Sequence, residues 1–436
     1  MQHTLLTVSI ALLAGLLMTR LFKPLRLPSV TAYLIAGVLI GPYCIGSLGV
    51  DGFGFTSMEQ VEALGLISEV ALGFIAFSIG SEFRLNDLKK TGKQAVVIGI
   101  FQALTAAAFV DIALFAVYKL MPGAMRLSQV LTLGAIATAT APAATLMVVR
   151  QYKAKGPLTN LLLPIVALDD AVGLIVFAVS FGIAKTLSSG AGVNVATIVI
   201  TPIVEIVGSL LLGSIMGVIL TWLEKMFNSN TNRLNMTIVF VILTVALSKM
   251  EFTLWGIHVS FSSLLVCMML GTIFCNICPL SHDLMERSDK WTSPLSALFF
   301  VISGAELELS VFTSSTVVII GVVYIVFRSL GKYFGSYWSA KATKCDSNIC
   351  KYLGITLLPQ AGVALGMCTL AAEGLGEEGI LIRNITLFAV LIYELFGPIF
   401  TRQALTSAGD IKPMSDEVKN RRHTKLKEAE ERKKSK

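Results

Sequence analysis

The chain has 436 residues, of which 54% are hydrophobic and only 14% charged, with a formal net charge of +7. Soluble domains carry about 25% charged residues, so this composition excludes an ordinary water-soluble domain and indicates a chain solvated by lipid. The basic excess implies no nucleic-acid partner, because its distribution along the chain, described below, accounts for it.

A helix needs roughly 20 apolar residues to cross the hydrocarbon. Apolar runs between polar breaks predict thirteen spans in chain order, at Thr4–Leu21, Pro28–Leu48, Val61–Ser81, Ala95–Leu120, Leu127–Val149, Leu158–Leu187, Val195–Leu223, Leu234–Leu247, Val259–Ile277, Trp291–Leu309, Thr316–Trp338, Tyr352–Ala372 and Ile380–Leu405. The runs are continuous rather than alternating, which argues for helices and against barrel strands. The fold class expected is therefore an all-α polytopic membrane protein of about thirteen transmembrane helices. The first run has no basic residues before it, and Arg20, Lys23 and Arg26 follow it. It reads as a spanning helix rather than a signal peptide.

Basic residues mark the cytoplasmic side. Odd-numbered turns hold 18 of them, from Arg20 through Arg84, Lys153, Lys225 and Arg287 to Lys332, Lys341, Lys344 and Lys351. The opposite side holds 5, and the tail from Arg402 onward adds eleven. The expected topology has the amino end outside and the carboxyl end cytoplasmic. The tail "SDEVKNRRHTKLKEAEERKKSK" reads as a solvated extension near anionic lipid headgroups. The seven cysteines are scattered, and Cys275 and Cys278 in "CNIC" lack the further ligands of a zinc site, so they read as reduced, packed thiols.

Two spans are interrupted. The fifth, "TLGAIATATAPAATLMVVR", has Thr138, Thr140 and Pro142 at its middle, and the twelfth, "LGITLLPQAGVALGMCTLA", has Pro359, Gln360, Ala361 and Gly362. Proline removes a backbone donor, and bare backbone at membrane depth is tolerated only inside protein or along a watery cavity. Paired interruptions in corresponding positions of two halves point to a transporter's binding site. The spacing fits an inverted repeat of spans four to six with spans eleven to thirteen.

The sixth span holds "LDDAVGLIVFA", where Asp169 and Asp170 stand side by side in an otherwise apolar run. Each disfavours insertion by roughly 2.5–3.5 kcal/mol at a helix centre. Two buried like charges need a proton or a cation, and one site does not hold both at once. That competition is the chemistry of exchange.

Further ordered motifs are "LRLPSVTAYLIAGVLIGP", "GFIAFSIGSEFRLNDLKKTGKQA", "LSALFFVISGAELELS", "FRSLGKYFGS" and "IYELFGPIFTRQAL". With "LDDAVGL" they make the chain, from Leu16 to Gly409, resemble the monovalent cation:proton antiporter superfamily, in its bacterial branch of thirteen helices. The resemblance implies an ion-carrying core at 93–190 and 315–406 with two crossed discontinuous helices. It also implies a dimerising panel at 1–92 and 191–290 with the tenth helix at 291–314, and a basic cytoplasmic tail at 407–436. It implies no enzyme activity and no cofactor. The partners implied are Na+, Li+ or K+, protons, membrane lipid and a second copy of the chain, in a bacterial inner membrane.

Within that family the second aspartate is the cation and proton carrier, which maps onto Asp170. Asp169 then serves as ligand or ion-pair partner, and Thr138 and Thr140, with freed carbonyls of the break, are expected as oxygen ligands. Arg328 in "YIVFRSLGK" lies inside the eleventh span and needs a carboxylate, for which Asp169 is the candidate. Electrogenic members carry a lysine in that functional place. Arg328 cannot release its proton, which favours one-for-one exchange. Relatives with Arg pair it with a Glu in the fourth span, where Gln102 stands here.

Of the other intramembrane acids, Asp111 would line an outer funnel or pack, Glu394 makes a structural hydrogen bond, and Glu69 and Glu205 snorkel or pack. His258 and His282 flank the ninth span, with His282 in a solvated turn. The closest rival function is a sodium-coupled symporter of an organic anion, which shares crossed helices but needs cationic groups at its site. A channel is less favoured because no filter segment is visible.

Overall fold

A computed structural model of the protein describes residues 2–22, 29–50, 54–81, 83–85, 92–141, 144–145, 148–149, 152–188, 195–250, 252–254, 257–259, 261–307, 309 and 313–411. The side chains of Asp170 and His258, the backbone at Pro142, and the tail beyond Ile411 lie outside the described residues.

Among the described residues there are fifteen α-helices. They are α1 (Gln2–Phe22), α2 (Ser29–Ile40), α3 (Met58–Glu62), α4 (Gly65–Ser81), α5 (Gly92–Leu120), α6 (Leu127–Ile136), α7 (Pro157–Ser188), α8 (Val195–Glu224), α9 (Asn230–Ser248), α10 (Ser263–Ile277), α11 (Ser281–Ala305), α12 (Ser315–Ala342), α13 (Ser347–Thr356), α14 (Gly362–Leu375) and α15 (Glu377–Ser407). Every predicted span has a counterpart, and eight of the helices are long and apolar enough to cross a membrane. The twelfth span is split into α13 and α14. The fifth stops at Ile136 and is helical again at 144–145 and 148–149.

Three details depart from the sequence reading. The strands β1 (Phe252–Leu254) and β2 (Ile257–Val259) form a short antiparallel hairpin between α9 and α10. α11 begins ten residues before Trp291, because Asp283–Arg287 and Glu286–Lys290 pairs spaced four apart support a polar first half, so His282 is helical. Most consequential, Lys332, counted with the cytoplasmic basic residues although the expected eleventh span encloses it, is fully buried within α12, which runs on to Ala342.

Close helix approach fixes where α12 lies. A Cβ at Gly331 would fall 2.6 Å from Ala106 Cα, and one at Gly335 would fall 2.8 Å from Gln102 Cα. In lipid, where hydrophobic exclusion does not drive helices together, such small-residue stripes allow backbone contact. "GKYFG" thus draws α12 onto α5 and sets Lys332 and Gln102 on facing surfaces. The largest buried apolar cluster joins α5, α6, α7, α12, α14 and α15 to parts of α2, α4, α9, α10 and α11.

Candidate functional site

The two interrupted spans cross, and the amide of Ala141 donates to the carbonyl of Pro359 at 2.8 Å. A helix leaves its last carbonyls without partners and its carboxyl end partially negative. Two such ends, those of α6 at Ile136 and α13 at Thr356, meet here in buried surroundings. Long polar side chains answer them one by one. Gln360 donates to Ile136 O at 2.9 Å. Arg328 donates to Ala137 O at 3.1 Å, Ala139 O at 2.6 Å and Leu358 O at 2.8 Å. Lys332 donates to Thr138 O. On the other break, Thr145 Oγ1 donates to Thr356 O at 3.2 Å and Thr140 Oγ1 to Leu357 O at 3.3 Å. The carbonyls freed at Ile136–Ala139 and at Thr356–Leu358 are therefore each met by a side-chain donor, as burial demands.

Lys332 has the densest set of partners. Its Nζ lies 2.8 Å from Asp169 Oδ2 and 2.9 Å from Thr140 Oγ1, besides the Thr138 carbonyl. Lys332 and Asp169 are both fully buried. The other carboxylate oxygen of Asp169 accepts from Gln102 Nε2, which also donates to Gly99 O at 3.0 Å. Gln102 Oε1 is buried and has no partner among the described residues.

The expected ion pair between Asp169 and Arg328 is corrected by this geometry. Asp169 pairs with Lys332, one helical turn beyond Arg328 on the same face of α12. Arg328 instead serves backbone carbonyls, and its guanidinium stacks over the Tyr393 ring at 4.4 Å. Its charge is balanced by the partial charges of the helix ends together with the ring face. Asp169, Thr138, Thr140 and Arg328 are thus gathered at the crossing, although Thr138 offers its carbonyl while its hydroxyl donates to Ala135 O at 2.6 Å. Asp170 follows Asp169 in α7.

Outside the crossing, Glu69 pairs with Lys249 at 3.0 Å, and Glu394 accepts from Thr31 Oγ1 at 3.3 Å. Cys275 and Cys278 are buried free thiols. Asp111 lies against Gly134 of α6.

The family model described as sodium/hydrogen exchanger, transmembrane, matches residues 8–405, and the chain belongs to that family of membrane transporters. It is an integral membrane protein. It is 21% identical to the K(+)/H(+) antiporter subunit KhtU of Bacillus subtilis (strain 168), over 93% of this chain and 94% of that one. It is 24% identical to the Na(+)/H(+) antiporter NhaS4 of Synechocystis sp., over 81% and 84%. It is 21% identical to the ammonium/H(+) antiporter subunit AmhT of Alkalihalophilus pseudofirmus, over 88% and 92%. The solved structure of the sodium proton antiporter MjNhaP1 from Methanocaldococcus jannaschii superposes with a TM-score of 0.70 at 17% identity, covering 91% of this chain and 97% of that one. That likeness establishes a shared fold.

Proposed function

We propose that the protein exchanges a monovalent cation for protons by alternating access, with the cation and protons competing at Asp169, Asp170 and Lys332. The observation that carries this reading is the shell of oxygen atoms around Lys332 Nζ: one carboxylate oxygen, one freed carbonyl and one hydroxyl. Hard cations take oxygen ligands, so the ammonium occupies a place that Na+, Li+ or K+ would fill. Gln102 Oε1, within a side-chain amide's reach of Asp169, is a further oxygen for that shell. The curated relatives carry potassium, sodium and ammonium in their names, so the cation is decided by assay rather than by kinship.

Arg328 and Lys332 then have separate roles. A guanidinium keeps its proton, while an ammonium releases one to a base. Arg328 pins the crossing throughout the cycle. Lys332 leaves its oxygen shell as the cation enters and gives up a proton, while Asp170, the assigned carrier, gives up another. Two protons for one cation makes exchange electrogenic, the reverse of what Arg328 alone suggested. Cotransport of an organic anion is disfavoured, because it asks for a free cationic group and Arg328 is spent on three carbonyls.

In this reading 93–190 and 315–406 move as a core against a panel of 1–92 and 191–314, the panel forming a homodimer in a bacterial inner membrane with the amino end outside. The test is reconstitution in liposomes holding a pH dye, with NaCl, LiCl or KCl added outside. Proton movement driven by one of these salts, abolished in Asp170→Asn, is the expected result. Absence of proton movement with all three refutes exchange.

A further inference from the structure

We infer that two ion pairs of opposite polarity, Lys249–Glu373 and Glu306–Arg383, form a latch across the two groups of helices that must open whenever the core moves against the panel. The inference rests on the alternating-access reading above. Lys249 caps the carboxyl end of α9, and its Nζ lies 3.0 Å from Glu69 Oε1 on α4 and 3.3 Å from Glu373 Oε2 in the last turns of α14. Glu306 caps the carboxyl end of α11, and its Oε2 lies 3.8 Å from Arg383 Nη1 on α15. In the first pair the proposed panel supplies the cation and the core the anion. In the second the roles are exchanged.

Both pairs sit at one end of the molecule. Glu373 and Arg383 flank the turn at Gly376, whose φ of 55° reverses the chain between α14 and α15. That end is the outer one in the proposed topology. Glu69 and Lys249 both belong to the panel side, so their contact holds the ammonium in position without crossing the boundary. Burial pulls the Lys249 ammonium down, but the hydrogen bond and charge of Glu69 and those of Glu373 outweigh it and hold it above the ordinary lysine value.

The position suits a gate. Lys249 and Glu373 line a cavity of about 220 Å³ whose wall on α7 includes Phe177 and Phe181. Phe177 is eight residues beyond Asp169 on the same helix, or roughly 12 Å along its axis. Any displacement of α14 and α15 from α9 and α11 stretches both pairs at once. The Lys249 pair is substantially exposed and Glu306–Arg383 is largely buried. Exposed pairs are weak and reversible, which suits Lys249–Glu373 to opening in every cycle, and the 3.8 Å separation of Glu306 and Arg383 is that of a loose contact.

The experiment uses the full chain carrying Lys249→Cys and Glu373→Cys, reconstituted and bridged by a short bis-methanethiosulfonate, with each single-cysteine variant given the same reagent as a control for the native thiols. Bridging is expected to reduce cation-driven proton movement by about tenfold or more relative to the same sample unbridged, and a reducing agent is expected to restore it. Bridged protein that exchanges as fast as unbridged protein overturns the latch. The pairing is tested independently in a Glu69→Gln background, which removes the carboxylate that would repel a glutamate at 249: Lys249→Glu is expected to slow exchange by setting two carboxylates together across the boundary, and Lys249→Glu with Glu373→Lys to recover it. A double variant no better than the single one overturns the pairing. Loss of exchange in the unsubstituted protein would refute the proposed function itself, whereas exchange that survives bridging refutes only the latch.

Discussion

Asp169 and Lys332 are fully buried in contact with each other, and neither charge is tolerable there alone. Removing one partner of a buried pair costs about 3–5 kcal/mol, because the other charge is left uncompensated. Asp169→Asn is therefore expected to lower the melting temperature of the detergent-solubilised protein by several degrees, and Asp169→Asn with Lys332→Met to recover most of that loss. Lys332→Gln gives a different readout. In the proposed cycle it removes one of the two protons released, so exchange expected to move charge across liposomes in the parent is expected to become electroneutral, as measured with a potential-sensitive dye. Arg328→Met leaves three buried carbonyls without donors, each worth about 1–3 kcal/mol when unsatisfied. Its expected effect is a large fall in stability, and Arg328→Lys, which supplies fewer and differently spaced donors, is expected to restore only part of it.

At the scale of elements, the crossing depends on α12 lying against α5, which depends on glycine. Gly335→Val puts methyl groups where even a Cβ would be 2.8 Å from Gln102 Cα and 2.8 Å from Thr105 Cβ. Overpacking of this kind costs typically about 1–3 kcal/mol. It also displaces Lys332 from Asp169, so transport is expected to fall further than melting temperature. Much of this was legible in the sequence. "TATAP" and "LLPQAG" announce the two breaks, because proline and small polar residues are poor continuations of a membrane helix, and the apolar runs locate the spans. Lys332 was not legible in the same way. The eleventh span encloses it, yet counting basic residues by side of the membrane absorbed it as one more cytoplasmic lysine. The signal available was its spacing of four from Arg328, which puts both cations on one face of α12. The partner of Arg328 was misjudged for a related reason. Backbone carbonyls have no letter in a sequence, and three of them, Ala137 and Ala139 at the first break and Leu358 at the second, do the work expected of a carboxylate.

At the scale of the whole molecule, the chain combines a family-wide exchanger fold with a charged centre reached from membrane-embedded helices. Lipid replaces water around the exposed apolar faces of α1 and α8, where Leu13, Leu17, Leu211 and Trp222 lie open, and the fully buried charges of Asp169, Arg328 and Lys332 are gathered where the two interrupted spans cross. The central claim is that cation and protons exclude one another at this centre. Competition has a kinetic signature that uniform binding lacks. The cation concentration giving half-maximal exchange should rise as pH falls, while the maximal rate at saturating cation stays level. The most direct measurement is therefore initial proton flux in liposomes over a matrix of NaCl, LiCl or KCl concentrations and pH values. The prediction is a KM that climbs by about tenfold per pH unit on the acid side for each competing proton, with unchanged maximal rate. A KM independent of pH, with only the maximal rate responding, would contradict competition at Asp169, Asp170 and Lys332.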